Sequence, residues 1–192
     1  GAVIGFTTVL IAVLIMWLNL HPLIAFAIAL IVAAAFGAIM GAAIHYLKVP
    51  SFIVTLAGMF LARGGASVLS PDSIGIEHPF FSAVQKSYIL LPGGGRLTVV
   101  GMIMLAVFAV AIVLAHRTRF GSNVYALGGS ETSAALMGVP VARTTITIYA
   151  LSSFLAGLAG VVFSLYTSAG YSLNALGVEL DAIAAVVIGG TL

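Results

Sequence analysis

The chain has 192 residues, of which 62% are hydrophobic and only 6% are charged, with a formal net charge of +2. A soluble domain carries about 25% charged residues, so this composition predicts an integral membrane protein. The apolar runs are long and lack the alternation of a membrane β-barrel, so we expect helices to cross the bilayer. The small, dispersed charge excludes a nucleic-acid surface, and a chain without cysteine excludes disulfide and thiolate chemistry.

Five apolar segments approach the length of about 20 residues that a bilayer requires. Turn signals at Asn19–Pro22 and Lys48–Pro50 and a polar stretch at Ser70–Arg96 separate the first four. Ser51 is expected to cap the third span, and Pro92–Arg96 is expected to form a flexible turn. The predicted spans are Ala2–Leu20, Leu23–Leu47, Phe52–Leu69, Leu97–Ala115 and Thr145–Ser168.

The last apolar segment is short. Ala182–Ile188 makes only about two helical turns before Gly189–Gly190, and Asp181 is expected to cap its start. Such an interrupted helix is typical of a broken or re-entrant segment, which can line a substrate cavity. The carboxylates of Glu179 and Asp181 lie beside it, and a carboxylate at membrane depth is costly enough to suggest a function. Both ends of the chain fall inside apolar runs, so we expect it to be part of a longer protein.

Two predicted spans carry small residues at every fourth position, which places them on one face of each helix. Small residues let helix backbones approach closely in a membrane, so the stripes predict helix packing in a compact bundle, with the lining of a narrow pore as the alternative. The stripes are Ala25, Ala29, Ala33, Gly37 and Gly41, and Ser152, Ala156, Gly160, Ser164 and Ser168. The candidate packing residues are Gly37, Gly41, Ala156 and Gly160.

A polar island at residues 116–144 lies between the fourth and fifth predicted spans. Within it, Ser130–Gly138 has the composition of a short amphipathic helix, which a membrane protein typically offers to something outside the bilayer. The positive-inside rule favours a cytoplasmic island only slightly, because four basic residues lie on its side against three on the other. The four on the island side are Arg117, Arg119, Arg143 and Lys48. The three on the other side are Arg63, Lys86 and Arg96.

No arrangement of catalytic or metal-ligating residues stands out in the sequence. The four histidines lie near helix ends or in loops without the spacing of a metal site. Pro92–Arg96 lacks the lysine and the preceding buried strand of a nucleotide phosphate loop. We therefore expect a non-catalytic protein without a cofactor, which does not itself hydrolyse nucleotide.

Four segments of the chain, in order, resemble segments of one family. The family is that of the ribose/xylose-type permeases of ABC sugar importers. The segments that carry the resemblance are Pro50–Phe60, Arg119–Val139, Tyr149–Gly160 and Glu179–Thr191. Within this family, Ser73–Pro79 combined with Pro92–Leu97 is most similar to permease subunits of galactofuranose importers.

The resemblance implies the membrane subunit of a bacterial inner-membrane importer. Two permease subunits, identical or paralogous, would form the pathway, two ATPase subunits would drive it, and a periplasmic binding protein would deliver the sugar. The island would be cytoplasmic, with Arg117, Arg119 and Arg143 flanking a coupling helix, and residues 70–96 would face the periplasm. The candidate docking residues for the ATPase are Glu131, Thr132, Ala134, Ala135 and Gly138, and the candidate pathway residues are Asn174, Glu179 and Asp181.

Two other classes stay open on the residues alone. A secondary transporter or channel for a small polar solute is expected to carry charged residues in mid-span, and the predicted spans are nearly free of them. A non-transporting membrane scaffold fits the small-residue stripes but not the polar island. Dependence of uptake on a working ATPase separates an ABC importer from both classes.

Overall fold

The computed structural model describes residues 1–86, 88–90 and 96–189, without the side chains of residues 88–90, 96 and 97. In these ranges the chain is helical apart from two short two-stranded antiparallel sheets, in which β1 pairs with β4 and β2 with β3. The helices are α1 (Ala2–Met16), α2 (Pro22–Leu47), α3 (Ser51–Leu69), α4 (Pro79–Lys86), α5 (Val99–Arg117), α6 (Arg119–Gly129), α7 (Glu131–Leu136), α8 (Val141–Thr167) and α9 (Val178–Ile188). The strands are β1 (Ile74–Gly75), β2 (Tyr88–Leu90), β3 (Arg96–Thr98) and β4 (Ala169–Gly170).

Four of the described helices, α2, α3, α5 and α8, are long and apolar enough to cross a membrane. This confirms the helical membrane fold expected from composition. The first predicted span is wrong in length, because α1 covers only 15 residues. It ends where residues 17–20 turn back, with Asn19 in the left-handed conformation (φ 52°) and the Leu20 amide donating to the Leu14 carbonyl at 3.1 Å.

The short helix α1 forms the centre of the bundle. Ten of its residues are buried, and α2, α3 and α8 pack around it. A helix that is apolar on all sides is suited to the interior of a bundle or to lipid, and here neighbouring helices enclose it. Its buried hydroxyl groups are hydrogen-bonded to the backbone of the same helix, because Thr7 donates to the Val3 carbonyl and Thr8 donates to the Gly5 carbonyl.

The most extensive contact in the bundle joins α2 and α8. All five residues of the first predicted stripe are buried on α2. On α8 the packed face differs from the prediction, because Ser152 is exposed and Ala156 is half-buried. On α8 the buried small residues follow steps of four, three and four, which stay closer to one face of a helix of 3.6 residues per turn than a strict spacing of four does. These residues are Ser153, Gly157, Gly160 and Ser164.

The long polar stretch after α3 is more ordered than the sequence predicts. It contains α4, whose Phe81 is 1% exposed and lies against Phe26 of α2 with ring centroids 6.0 Å apart. It also contains β1, which pairs with β4 after α8 and so ties this stretch to the end of that helix. Residues 92–95 of the predicted turn, and Gly190 at the end of α9, lie outside the described residues.

Two predicted helix caps are wrong. Ser51 is the first residue of α3 and makes no capping bond, because Pro50 holds the cap position. The last helix, α9, begins at Val178 behind Gly177 (φ 88°), which places Asp181 inside its first turn. A carboxylate there still interacts favourably with the helix dipole.

We expect Gly37→Leu to lower the free energy of unfolding by about 1–3 kcal/mol, because a side chain at this position meets the α8 backbone at Tyr149 and the Ser153 Cβ at 2.6 Å. Gly64→Leu is the matched control, because Gly64 lies on an exposed face of α3 with nothing within 4 Å. Thermal unfolding of the full-length parent in detergent measures both. Equal losses of melting temperature in the two variants would contradict this packing.

Candidate functional site

The polar island folds into two helices, where the sequence predicts one. A sharp elbow at Thr118 joins α5 to α6, and its hydroxyl donates to the Leu114 carbonyl at 2.6 Å while accepting from the Gly121 amide at 3.2 Å. Gly121 lies against the backbone of Ala115 and Leu114, so a side chain at this position would open the elbow. The amphipathic helix α6 is the element that the sequence analysis missed.

The expected short helix is observed as α7. The Ser130 hydroxyl caps it by accepting from the Ser133 amide at 3.2 Å, and Glu131 lies in its first turn. Gly138 ends it in the left-handed conformation (φ 81°). The amides of Gly138 and Val139 donate back to the Ala135 and Ala134 carbonyls, both at 3.0 Å. Local hydrogen bonds therefore cap α7 at both ends.

The candidate docking residues do not all share one face. Ala134 is fully buried, so it cannot contact a partner and the expectation for this residue is wrong. Glu131, Thr132, Ala135 and Gly138 are exposed. The most exposed large side chains are Leu136 (90%) and Met137 (71%), which the sequence analysis did not single out.

A shallow cavity of about 820 Å³ lies beside α7. The end of α2 and the α2–α3 turn, residues 48–50, form its other wall, and Lys48 of this turn faces the same cavity as Glu131. The turn is fixed by Lys48 in the left-handed conformation (φ 52°). The α7 end of the bundle therefore presents one continuous surface made from two separate connections.

The flanking basic residues Arg117, Arg119 and Arg143 are all exposed. In the part of the chain that the structure describes, none of them pairs with Glu131, whose side chain is also exposed. Exposed and unpaired charges leave this surface free to interact with a charged partner.

A second polar site lies where the chain passes from α8 to α9. After Ser168, in the left-handed conformation (φ 49°), residues 169–177 run back along α1 in irregular conformation. Gly170 lies against the Thr8 carbonyl, where an added Cβ atom would be 2.7 Å from the Ala12 Cβ, and Gly5 leaves room for the Ser172 carbonyl. We call residues 168–177 the re-entrant segment. It precedes Ala182–Ile188, the helix that the sequence analysis expected to be interrupted, which lies within the 11-residue helix α9.

The Thr8 hydroxyl is the main anchor of the re-entrant segment. It accepts from the Asn174 side-chain amide at 3.3 Å and from the Tyr171 backbone amide at 3.4 Å. Thr8 itself is fully buried. Irregular backbone at membrane depth requires such partners, because lipid supplies none. Asn174 is thus held against α1 and is half-buried, and its role in a pathway stays a prediction.

Glu179 forms an ion pair with Arg63 of α3, with Oε1 3.2 Å from Nη2. Arg63 also donates from Nη1 to the Ser172 carbonyl at 3.3 Å, so one guanidinium joins α3, the re-entrant segment and α9. The second oxygen of Glu179, Oε2, is buried without a hydrogen-bond partner in the described structure. Arg63 lies about 18 Å along α3 from Ser51, which is well inside a span.

Asp181 stands apart from this polar site. Its residue is exposed, and no described contact joins it to Arg63, Thr8 or Asn174. Of the candidate pathway residues, the structure brings Asn174 and Glu179 to the re-entrant segment and leaves Asp181 outside. Arg63 was missed because the sequence analysis counted it as a loop charge. A lone arginine inside an apolar span was the available signal.

Hydroxyl, amide, carboxylate and guanidinium groups are the hydrogen-bonding groups that a sugar requires. The groove between α5, α6 and α8, of about 510 Å³, is lined almost wholly by apolar side chains such as Val110, Leu114 and Phe154 and does not offer them. No group of three or more metal-ligating side chains occurs in the described residues. The re-entrant segment is therefore the candidate for solute contact.

We expect Arg63→Met and Glu179→Gln each to lower the free energy of unfolding by about 1–3 kcal/mol. This is less than for a fully buried pair, because the two side chains keep 16% and 26% of their exposure. Each single variant leaves one charge or one polar group unpaired. The double variant should therefore lose less free energy of unfolding than the sum of the two single losses. A double-mutant cycle of thermal unfolding in detergent measures the coupling. Strict additivity would show that the ion pair contributes nothing.

The whole chain, residues 1–192, matches the family described as branched-chain amino acid transport system / permease component. It is 56% identical over all of its length to the inner membrane ABC transporter permease protein YjfF of Escherichia coli K12, of which it covers 58%. Over 86% of its length it is 42% identical to the fructose import permease protein FruG of Bifidobacterium longum, of which it covers 50%. Over 94% of its length it is 36% identical to the ribose import permease protein RbsC of E. coli K12, of which it covers 56%.

The chain thus spans little more than half the length of these curated relatives. No solved structure matches it. A match to one permease family over every residue, together with a helical membrane fold, is what identifies it. The chain belongs to the permease-component family of bacterial transport systems.

Proposed function

We propose that this chain is part of the membrane subunit of an ABC importer for a monosaccharide, located in the bacterial inner membrane. The observation that carries the proposal is the exposed helix α7, held at one end of a membrane bundle whose relatives are named as ABC, fructose and ribose permeases. A non-catalytic permease needs such a surface, since the energy comes from a separate ATPase subunit.

The α7 end is assigned to the cytoplasm. Because Arg63 lies inside α3, it no longer counts as a loop charge, and the comparison becomes four basic residues on the α7 side against two on the other. The positive-inside rule then favours this orientation more clearly. Residues 70–96, with α4, accordingly face the periplasm and the sugar-binding protein.

The docking face for the ATPase consists of Glu131, Thr132 and Ala135, extended by Leu136 and Met137. Two exposed apolar side chains at the end of a short helix are suited to a groove on a partner, and the polar residues fix its orientation. Gly138 shapes the end of the helix, and Arg117, Arg119 and Arg143 supply the surrounding charge. Coupling requires that this face makes different contacts in the two transport states.

Asn174, Glu179 and Arg63 supply the polar contacts of the pathway. In this conformation each already has an internal partner, Thr8 or the ion pair, although Glu179 Oε2 has no hydrogen-bond partner among the described residues. A sugar must therefore compete with internal partners, which gives weak and transient binding suited to passage rather than storage. We retain galactofuranose as the substrate, on the sequence resemblance of Ser73–Pro79 and Pro92–Leu97.

One observation favours a secondary transporter instead. The Arg63–Glu179 pair is a charged pair inside the bundle, of the kind that ion-coupled carriers use. The α7 surface, however, has no role in such a carrier.

Uptake of the sugar is expected to fall to background when the full-length parent is expressed with a hydrolysis-deficient ATPase partner. The measurement is accumulation of labelled galactofuranose, ribose, fructose and arabinose into cells that carry the binding protein. Undiminished uptake with the inactive ATPase would overturn the importer assignment. Uptake of a sugar other than galactofuranose would overturn only the choice of substrate.

We expect Leu136→Ala/Met137→Ala to reduce ATPase stimulation by loaded binding protein at least about tenfold, because the two most exposed side chains of the docking face are removed. Met104→Ala/Leu105→Ala is the matched control, with the same two residue types exposed on α5 by 64% and 55%. Purified complexes in lipid nanodiscs provide the measurement. Equal stimulation in both variants would place the ATPase contact elsewhere.

A further inference from the structure

The periplasm-assigned helix α4 lies across the end of α8. Its Phe81 and Val84 share a hydrophobic cluster with Val161 and Leu165 of α8, and its Gln85 makes side-chain hydrogen bonds to the end of that helix. The Gln85 amide nitrogen is 2.9 Å from the Leu165 carbonyl, 3.1 Å from the Tyr166 carbonyl and 2.9 Å from the Ser168 hydroxyl. An amide group has two N–H donors, so it serves two of these acceptors at a time. The last carbonyls of a helix have no partner within the helix, and Gln85 supplies one.

The same end of α8 is held by the residues just before α4. Ser168 closes α8 in the left-handed conformation, although it is not glycine. Its carbonyl accepts from the Ile76 amide at 2.8 Å, and the β1–β4 pairing follows directly. Residues 74–86 therefore hold the end of α8 through three sets of hydrogen bonds, made by the Ile76 amide, by the β1–β4 pairing and by the Gln85 side chain. Gln85 is the one of these that belongs to α4.

The beginning of α4 is fixed to a different helix. Phe81 is buried against Phe26 of α2, and Phe80 lies 6.2 Å from the same ring. The His78 ring nitrogen accepts from the Phe80 amide at 3.1 Å and orders the first turn. Since α4 is anchored on α2 at its start and on α8 at its end, a tilt of α4 moves these two helices relative to each other.

Helix α8 carries such a movement to the other end of the bundle. It is one unbroken helix of 27 residues, about 40 Å long. Its first turn follows α7 after four residues, and Ala134 of α7 and Thr144 of α8 are both buried (0% and 3% exposed). The closing bond from the Val139 amide to the Ala134 carbonyl keeps α7 attached to this start.

The face along which α8 meets its neighbours permits a small sliding motion. Its contacts with α2 and α1 include the small residues Ser153, Gly157 and Gly160, together with Ile146 and Tyr149, which lie against Gly41 of α2. Packed helices that slide by a small amount are a recognised form of shear motion. The contact is close, so α8 moves as a rigid rod rather than bending.

We propose that Gln85 is a positioning residue that passes docking of the binding protein at α4 through α8 to the docking face at α7. The inference rests on the proposed function, since it assumes a periplasmic binding protein and a cytoplasmic ATPase. Gln85 itself touches neither sugar nor ATPase. Its role is to make α4 and the end of α8 move as one body.

The test uses the full-length permease with its ATPase subunits and binding protein in lipid nanodiscs. Gln85→Met keeps the size of the side chain and removes both donors, and it should reduce ATPase stimulation by loaded binding protein at least about fivefold. Gln85→Arg restores donors at the end of a helix and should keep stimulation within about twofold of the original. Ser82→Ala, on an exposed position of α4, is the control and should change nothing.

Three further readouts separate positioning from simple damage. Basal ATPase activity, the dissociation constant of the binding protein and the melting temperature should be unchanged in Gln85→Met. Normal stimulation of Gln85→Met, or failure of Gln85→Arg to restore it, would overturn the role of Gln85 while leaving the importer assignment intact. A complex of the original sequence that no loaded binding protein stimulates would overturn the proposed function and this inference together.

Discussion

The structure depends on the close approach of three helix backbones. A Cβ atom at Gly157 would lie 2.7 Å from the Ala33 Cβ, and one at Gly160 would lie 2.8 Å from the Thr7 Cβ. Lipid chains are as apolar as the side chains of the bundle, so contact at van der Waals distance, rather than removal from water, holds these helices together. Small residues on α1, α2 and α8 are what permit that contact, and the short α1 is enclosed only because they do.

The second constraint is the polar backbone of the re-entrant segment. A stretch without helical hydrogen bonds can lie within a bundle only if side chains or other backbone groups satisfy it. Thr8 and Arg63 meet this requirement, from α1 and α3 respectively. Both partners are distant from the segment in the sequence, so its conformation depends on the packing of α1 and α3 against it.

The sequence predicts best those features that depend on length and local chemistry. The spans of α2, α3, α5 and α8 follow from apolar length, and the short helix α7 follows from the amphipathic composition of Ser130–Gly138. The shortness of α1 does not follow, because apolar residues continue into the turn at Trp17–Leu20. The packed face of α8 shows the same limit, since a pattern of small residues does not tell which of two adjacent stripes meets a neighbour.

Contacts between residues that are distant in the sequence could not be predicted either, because no local pattern links them. Arg63 and Glu179 are 116 positions apart, and no local pattern joins them. Gln85 lies in a stretch that the sequence predicts to be a loop. Its hydrogen bonds depend entirely on where α8 ends, which no local pattern around Gln85 shows. Ala134 was taken as part of a docking face because short amphipathic helices show little contrast between faces, and only the packing against the chain itself shows which side is covered.

Under the proposed function, the arrangement of the two polar sites would let a small movement of α8 couple one site to the other. The re-entrant segment begins where α8 ends, and α7 ends four residues before α8 begins. Under the proposed function, a displacement of α8 would therefore act on the proposed solute site and on the proposed docking face in one step. The Arg63–Glu179 pair adds a discrete response, because an ion pair at 3.2 Å either persists or separates as the segment moves relative to α3. A bundle with two such states can couple its ends with a shift much smaller than the 40 Å that separates them.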